Sequence, residues 1–255
     1  MSNVFTIAGR ELRAYFASPV AYIVIGLFAA LYGAFFVLYL FLFVDQSMRM
    51  GAMGMGGPVN VNQMMLRPLL GNMAVVMLFM LPMLTMRTYA EEKRAGTFEL
   101  LLTSPLTDVQ IVLGKFLGAL AVFTLMLVVS GLNIPLLFLW GNPEWKQVAT
   151  SYLGILLMGG SFIALGLFLS SLTRSQVVAG AATFAIALLL WIVSWFGESG
   201  SETTRAVTSF LSVIEHYEDF SKGVVDTKHL AYYLSFIVFG LFLTVRSVDS
   251  ERWRG

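Results

Sequence analysis

Residues 87–115 read RTYAEEKRAGTFELLLTSPLTDVQIVLGK and lie between two long apolar runs. Residues 89–94 are charged and helix-favouring, with no β-branched side chain, and Gly96-Thr97 interrupts them. Residues 98–103 are apolar apart from Glu99. Ser104-Pro105 stops that piece, because the residue before a proline is biased away from the helical region. Thr107-x-x-Gln110, with Asp108 in the first turn, then has the form of a capping box opening the next helix. So this polar island predicts two short helical pieces hung between membrane segments, and its flanks decide the fold. The chain is 58% hydrophobic with a mean hydropathy of +0.80, and only 12% of it is charged, against about a quarter in a soluble domain.

A spanning helix needs ~20 mostly apolar residues. Six stretches meet or approach that length, at about 19–44, 69–86, 112–140, 151–172, 176–196 and 230–246. The expectation is an all-α integral membrane protein with six transmembrane helices in one domain over residues 1–255. The first run reads as a retained span, not a signal peptide, since it is long and lacks a small-residue cleavage pattern. With both termini inside, the inner segments hold Arg10, Arg13, Arg87, Lys93, Arg94, Lys115, Arg174, Arg246, Arg252 and Arg254. The outer loops then hold Arg49, Arg67, Lys146, Arg205, Lys222 and Lys228. The outer loops are longer in total, so the bias favours cytoplasmic termini.

Within residues 1–18, Val4, Ala8, Leu12 and Tyr15 recur at helical spacing while Arg10, Glu11 and Arg13 project elsewhere. This predicts an amphipathic surface helix, ended by Ser18-Pro19. In the first span Ala29 pairs with Gly33 and Ala30 with Ala34, the small-xxx-small pattern that lets helices approach closely in lipid. The fifth span carries Ala179, Thr183 and Ala187 on one stripe and Ala181 and Ala185 on another. Pro135 should kink the third span, and Asn133 beside it needs protein or water for a partner. The fourth span is rich in glycine and serine.

Two outer segments are distinctive. The first, 45–68, holds six of the fourteen methionines. Thioethers are soft Cu(I) ligands, so Met48, Met50, Met53 and Met55 admit a copper-handling reading beside that of a flexible glycine-rich loop. The second, 197–229, carries Val207, Phe210, Leu211, Ile214 and Tyr217 at helical spacing, which predicts an outer amphipathic helix. Its Glu215, His216 and Asp219 could meet at a metal, but the sequence reading assigns no metal there and takes them as a solvated face.

The chain has no cysteine, so it forms no internal disulfide or thiolate metal site. It also lacks a phosphate-binding GxxxxGK[ST] loop, HExxH and GxSxG; Gly114-Lys115 is followed by Phe116. Ionisable residues are nearly absent from the apolar runs, which argues against a proton- or sodium-coupled carrier. No catalytic constellation emerges, and energy for any work would come from a partner. The apolar residues Phe98, Leu100, Leu101 and Leu102, beside Glu91, Glu92 and Glu99, suit docking into a groove on another protein. The alternative is packing against the chain's own bundle.

Arg10-Glu11-Leu12, six spans, and the string EEKRxGTxExLLxxP from Glu91 to Pro105 resemble the permeases of type-2 ABC exporters across essentially the whole chain. The segment HYEDFxxGVVD from His216 to Asp226, followed by Tyr232-Tyr233-Leu234-Ser235, is similar to the subgroup associated with bacterial gliding motility. The resemblance implies a bacterial inner-membrane subunit with no covalent chemistry of its own. It would pair with a second permease copy or a related subunit and bind two ATPase subunits that carry ATP and Mg. Residues 89–105 would hold the cytoplasmic coupling helix, with Glu91, Glu92, Lys93, Arg94, Gly96, Thr97, Phe98, Glu99, Leu101, Leu102 and Pro105 as its contacts. Residues 1–18 would form the connecting helix, with Arg10, Glu11 and Arg13. The first and fifth spans would approach the dimer axis through Ala30, Gly33, Ala34, Ala179, Thr183 and Ala187. Residues 197–229 would form an outer re-entrant element, and an auxiliary protein with a periplasmic domain could accompany the complex. The expected function is export driven by the partner's ATP hydrolysis. The alternative is mechanotransmission to an outer accessory protein, with nothing crossing.

Overall fold

The computed structural model describes residues 2–53, 60–99, 105–140, 143–198 and 201–252. Among these the protein is all helix. Helix α1 is Ser2–Ala17 and α2 is Pro19–Ala52. A π-turn at Asn62–Leu66 leads into α3, Arg67–Thr85, and α4 is Ala90–Ala95. Helix α5 is Asp108–Gly131, α6 Ile134–Trp140, α7 Trp145–Leu172 and α8 Gln176–Glu198. Helices α9, Glu202–Leu211, and α10, Val213–Ser221, precede α11, Thr227–Arg252. Six helical runs are long and apolar enough to cross a membrane.

Three spans form the inner layer. In the most apolar stretches of α3, α5 and α7, 61–67% of residues are buried, against 17–22% for α2, α8 and α11. Helix α7 is the hub, packed against α3, α5, α8, α10 and α11. Its glycines explain why so many neighbours fit. A Cβ at Gly154 would meet the Phe220 side chain, one at Gly159 the Phe123 ring, and one at Gly166 Thr85. Small positions on a hub let backbones approach closely enough for dispersion contacts to hold them in lipid.

Several boundaries differ from the sequence expectation. Helix α2 runs on past Val44 to Ala52, its polar end carrying the Asp45–Arg49 pair at 2.9 Å, one turn apart. Part of the expected flexible methionine loop is therefore helix: Met48 and Met50 lie on α2, and Met65 is buried at the π-turn. Met50, Met53 and Met64 line one hollow and Met48 another, while Met55 lies outside the described residues. The break between α5 and α6 falls just ahead of Pro135, as its missing N–H requires. The single amphipathic helix expected beyond 197 is split at Ser212. Its backbone is extended (φ −71°, ψ 117°) and its hydroxyl accepts the Glu215 N–H to start α10.

The fifth-span seam needs correction. Ala179, Thr183 and Ala187 are buried inside the chain, so they are not offered to a second copy. Helix α8 packs against α3 and α7, and the Phe79 and Phe184 rings meet at 4.9 Å. Ala181 and Ala185 are the exposed small residues of α8. On α2, Ala30 and Ala34 are exposed and Gly33 has open space where a Cβ would stand.

Candidate functional site

The polar island folds into a junction centred on Lys115, its last residue, whose partners the sequence does not name. Lys115 lies in the second turn of α5 and its side chain is fully buried, 0% exposed. A buried ammonium must find three acceptors. Its Nζ donates to Glu92 Oε1 at 2.7 Å, to the Thr88 carbonyl at 3.1 Å and to Glu11 Oε1 at 3.2 Å. The Tyr89 ring lies 5.1 Å away, within cation–π range. One lysine thus joins α1, α4 and α5.

Glycines on either side make this reach possible. A Cβ at Gly114 would collide with Ile7, and one at Gly118 with Glu11, so α1 lies directly against the α5 backbone. The α1 face that packs here includes Val4, Ile7, Ala8, Leu12 and Tyr15, the stripe read from the sequence plus Ile7. Tyr15 donates to the Leu84 carbonyl at 3.1 Å and lies 3.2 Å from Thr88 Oγ1. Burial pushes its phenol up to about 12, so Tyr15 stays a donor further into the alkaline range than an exposed tyrosine would.

Helix α4 is held from outside itself. Its N-cap residue, Tyr89, has no side-chain acceptor for the first N–H groups. Ser170 of α7 supplies one, accepting from Tyr89 N–H and Ala90 N–H, both at 3.1 Å, and donating to the Met86 carbonyl at 3.0 Å. Lys93 donates to the Ser171 carbonyl at 2.6 Å and to Glu251 at 2.9 Å, while Arg252 pairs with Asp108 at 3.0 Å. The end of α11, which extends beyond the expected boundary at 246, therefore braces both α4 and the start of α5. Gly96 closes α4 in the left-handed conformation (φ 71°), where a side chain would be strained, and Thr97 N–H caps the Glu92 carbonyl at 3.1 Å.

Replacing Ser170 by alanine leaves two buried N–H groups and one carbonyl unmet. The expected cost is about 1–3 kcal/mol for each group that water fails to reach. Hydrogen exchange at the Tyr89 and Ala90 amides should accelerate in Ser170→Ala while amides in the middle of α5 keep their protection. Unchanged exchange at both amides would mean that Ser170 does not hold α4.

The other expected coupling residues divide by exposure. Glu91 takes two hydrogen bonds from Arg87, at 2.8 and 3.3 Å, and Arg87 also donates to Ser18 at 3.1 Å. Arg94, Thr97, Glu99 and Pro105 are exposed. Phe98 is not part of an exposed apolar patch. It is 5% exposed, its ring edge-on to Tyr89 at 6.1 Å and beneath Lys93 at 5.3 Å. Leu100, Leu101 and Leu102 lie outside the described residues. On α1, Arg10 pairs with Glu11 at 3.0 Å, and Arg10 and Arg13 face out. A hollow of about 410 Å³ opens between α1 and α4, lined by Arg10, Glu11, Tyr15, Arg87, Glu91 and Glu92. Lys115 was detectable in principle as a lone charge inside an apolar helix between two glycines. Ser170 and Glu251 gave no such signal.

At the opposite end of the bundle, α10 packs on the start of α7. Gln147 donates to the Ser221 carbonyl at 2.7 Å, and Ser151 to that of Phe220 at 3.3 Å. Glu215 is held by Ser209 of α9, and His216, expected on a solvated face, is buried instead. Asp219 pairs with His229 at 2.9 Å, which lowers its pKa, while burial lowers that of His216. His229 was missed because it lies ten residues further on, in another helix.

Six apolar helical runs, one of them a glycine-lined hub, with a charged junction at one end, define a multi-pass membrane protein. The family model described as ABC-2 family transporter protein matches residues 5–244, and the chain belongs to that family. It is thus a permease component of an ABC system, of a kind that normally works with an ABC ATPase. No curated protein matches the chain.

Proposed function

We propose that the protein is the membrane-spanning permease of an ABC exporter in the bacterial inner membrane, with both termini cytoplasmic. Two copies, or one copy and a related subunit, pair along α2 and the exposed face of α8. Two ATPase subunits dock below them, on the segment from α4 to Pro105. ATP binding draws the ATPases together, and the shift of α4 is passed into the bundle. The observation that carries this reading is the Lys115 junction. It fixes α1, α4 and α5 as one unit, and Ser170 and Lys93 fasten that unit to the hub α7. A push on α4 therefore reaches the hub directly instead of being lost in a loose loop.

The test uses residues that the junction does not need. Arg94→Glu combined with Glu99→Lys reverses charge at the exposed tip and leaves Lys115 and its partners in place. The expected result is loss of ATPase co-purification, or ATP turnover in the complex at least tenfold lower. Wild-type values for both measurements would reject the docking role.

The second reading, mechanotransmission to an accessory protein on the far side, draws support from the interlocked packing of α3, α5 and α7. Gly159 seats Phe123 and Gly166 seats Thr85, so the described interior of one chain is tightly filled. ATP-dependent movement of substrate into vesicles would favour export; ATP turnover without any such movement would favour the second reading. Membership of the gliding-associated subgroup rests on residues 216–235 alone.

A further inference from the structure

The bundle end remote from Lys115 holds two histidines on different helices, His216 on α10 and His229 on α11. Their ring centroids are 5.0 Å apart and their planes meet at 86°. Each ring has one nitrogen committed. His216 Nδ1 lies 2.8 Å from the Ser212 carbonyl oxygen, which can only accept, so Nδ1 carries the proton. His229 Nε2 lies 2.9 Å from Asp219 Oδ2, and an ionised carboxylate likewise only accepts, so Nε2 carries the proton. Neutral rings then present bare lone pairs at His216 Nε2 and His229 Nδ1. Both atoms are buried without a hydrogen-bond partner. His216 is 3% exposed, and the His229 side chain 12%.

Two imidazoles, each held from behind by a carbonyl or carboxylate and each with its other nitrogen free, have the back-side partners that metal-binding histidines commonly have. The scale agrees. With metal–nitrogen bonds of about 2.0–2.1 Å and a near-tetrahedral angle, the centroids of two imidazoles on one ion fall about 5 Å apart. The rings make no N–H···N bond to each other, so a shared proton does not already join them.

We propose that His216 Nε2 and His229 Nδ1 bind one divalent transition ion of the kind that favours imidazole, Zn²⁺, Ni²⁺ or Cu²⁺. Asp219 and the Ser212 carbonyl orient the rings, and water completes the coordination. Among the described residues no group of three or more His, Asp and Glu side chains forms a metal set. Two protein ligands are fewer than the four of a closed structural centre, so the ion would be held less tightly than in such a centre. Its place gives it a consequence. The Tyr232 hydroxyl donates to the Leu211 carbonyl at 3.0 Å and that of Tyr233 to Val213 at 2.8 Å, so α11 already grips the corner between α9 and α10. An ion shared by His216 and His229 locks that grip.

The test is equilibrium dialysis of the full chain, purified in detergent and stripped of metal, against Zn²⁺, with metal content read by mass spectrometry. One Zn²⁺ per chain is expected, with affinity at least tenfold lower in His229→Gln. Asp219→Asn keeps both ligands but loses the orienting carboxylate, and should weaken binding by about tenfold. His229→Gln leaves the Ser212 carbonyl bond untouched, and its melting temperature in metal-free buffer checks that it folds. Co²⁺ in place of Zn²⁺ should give visible absorption bands that vanish in the same variant. Zn²⁺ uptake by His229→Gln equal to that of the wild type overturns the proposal, and so does a wild-type chain that takes up none.

Discussion

Replacement of Lys115 by methionine is expected to be the most damaging single change at the Lys115 end. Methionine fills much of the same volume, so the loss is one of charge and not of packing. Glu11 and Glu92 would lose their shared cation, leaving Glu11 with the exposed Arg10 and Glu92, one oxygen of which is already buried and unpartnered, without its ammonium. Breaking a buried ion pair by removing one partner costs about 3–5 kcal/mol. Because both carboxylates keep some exposure, 12% and 24%, relaxation toward water should bring the value to the lower part of that range. The measurement is thermal unfolding in detergent together with limited proteolysis of α1, which should become the first site of cleavage. Adding Glu11→Gln and Glu92→Gln to Lys115→Met removes the uncompensated charge and should restore much of the lost stability. If Lys115→Met melts at the wild-type temperature and α1 stays protected, the junction does not hold the three helices together.

The second large effect is expected within the membrane layer. A Cβ at position 159 would stand within 3.0 Å of Cε1, Cζ and Cδ1 of Phe123, a ring that is fully buried. Gly159→Ala therefore forces α5 and α7 apart. Overpacking of this sort costs about 1–3 kcal/mol and occasionally more, and three close atoms on one rigid ring place Gly159→Ala at the upper end. The same substitution at Gly131, where nothing lies within 4 Å of a Cβ, should cost nothing measurable. Phe123→Leu destabilises alone by creating space, yet should relieve Gly159→Ala. The double-variant cycle thus gives a coupling energy of opposite sign to the single costs. Additive losses in the cycle would show that the two residues are not in contact in the folded protein.

Much of the architecture was legible in the sequence because lipid admits few solutions. Backbone groups in hydrocarbon must satisfy one another, so long apolar runs become helices. Local chemistry also spoke clearly where both partners sit within one turn. The Thr107–Gln110 capping box forms as read, with both of its hydrogen bonds present. The junction was not legible, since Lys115 meets carboxylates 104 and 23 residues away and nothing near it names them. Burial of the small stripes misled for a related reason. Both faces of α8 carry small residues, and periodicity alone does not say which faces inward. That choice is made by neighbours, by Met86 against Gly180 and Phe79 against Phe184. The α2 overrun past Val44 and the split at Ser212 were missed because the hydropathy pattern ends or continues there while a polar pair or a capping hydroxyl decides the backbone.

The hub helix has a consequence for how the chain tolerates change in length. Ser151 grips α10 at one end of α7 and Ser170 grips α4 at the other, about 28 Å apart at 1.5 Å per residue. Each added residue turns everything beyond it by about 100°. A one-residue insertion between them would aim one serine away from its partners, however apolar and helix-favouring the newcomer. The number of residues in that helix is thus a phase setting between the two ends, fixed more tightly than the identity of most side chains along it.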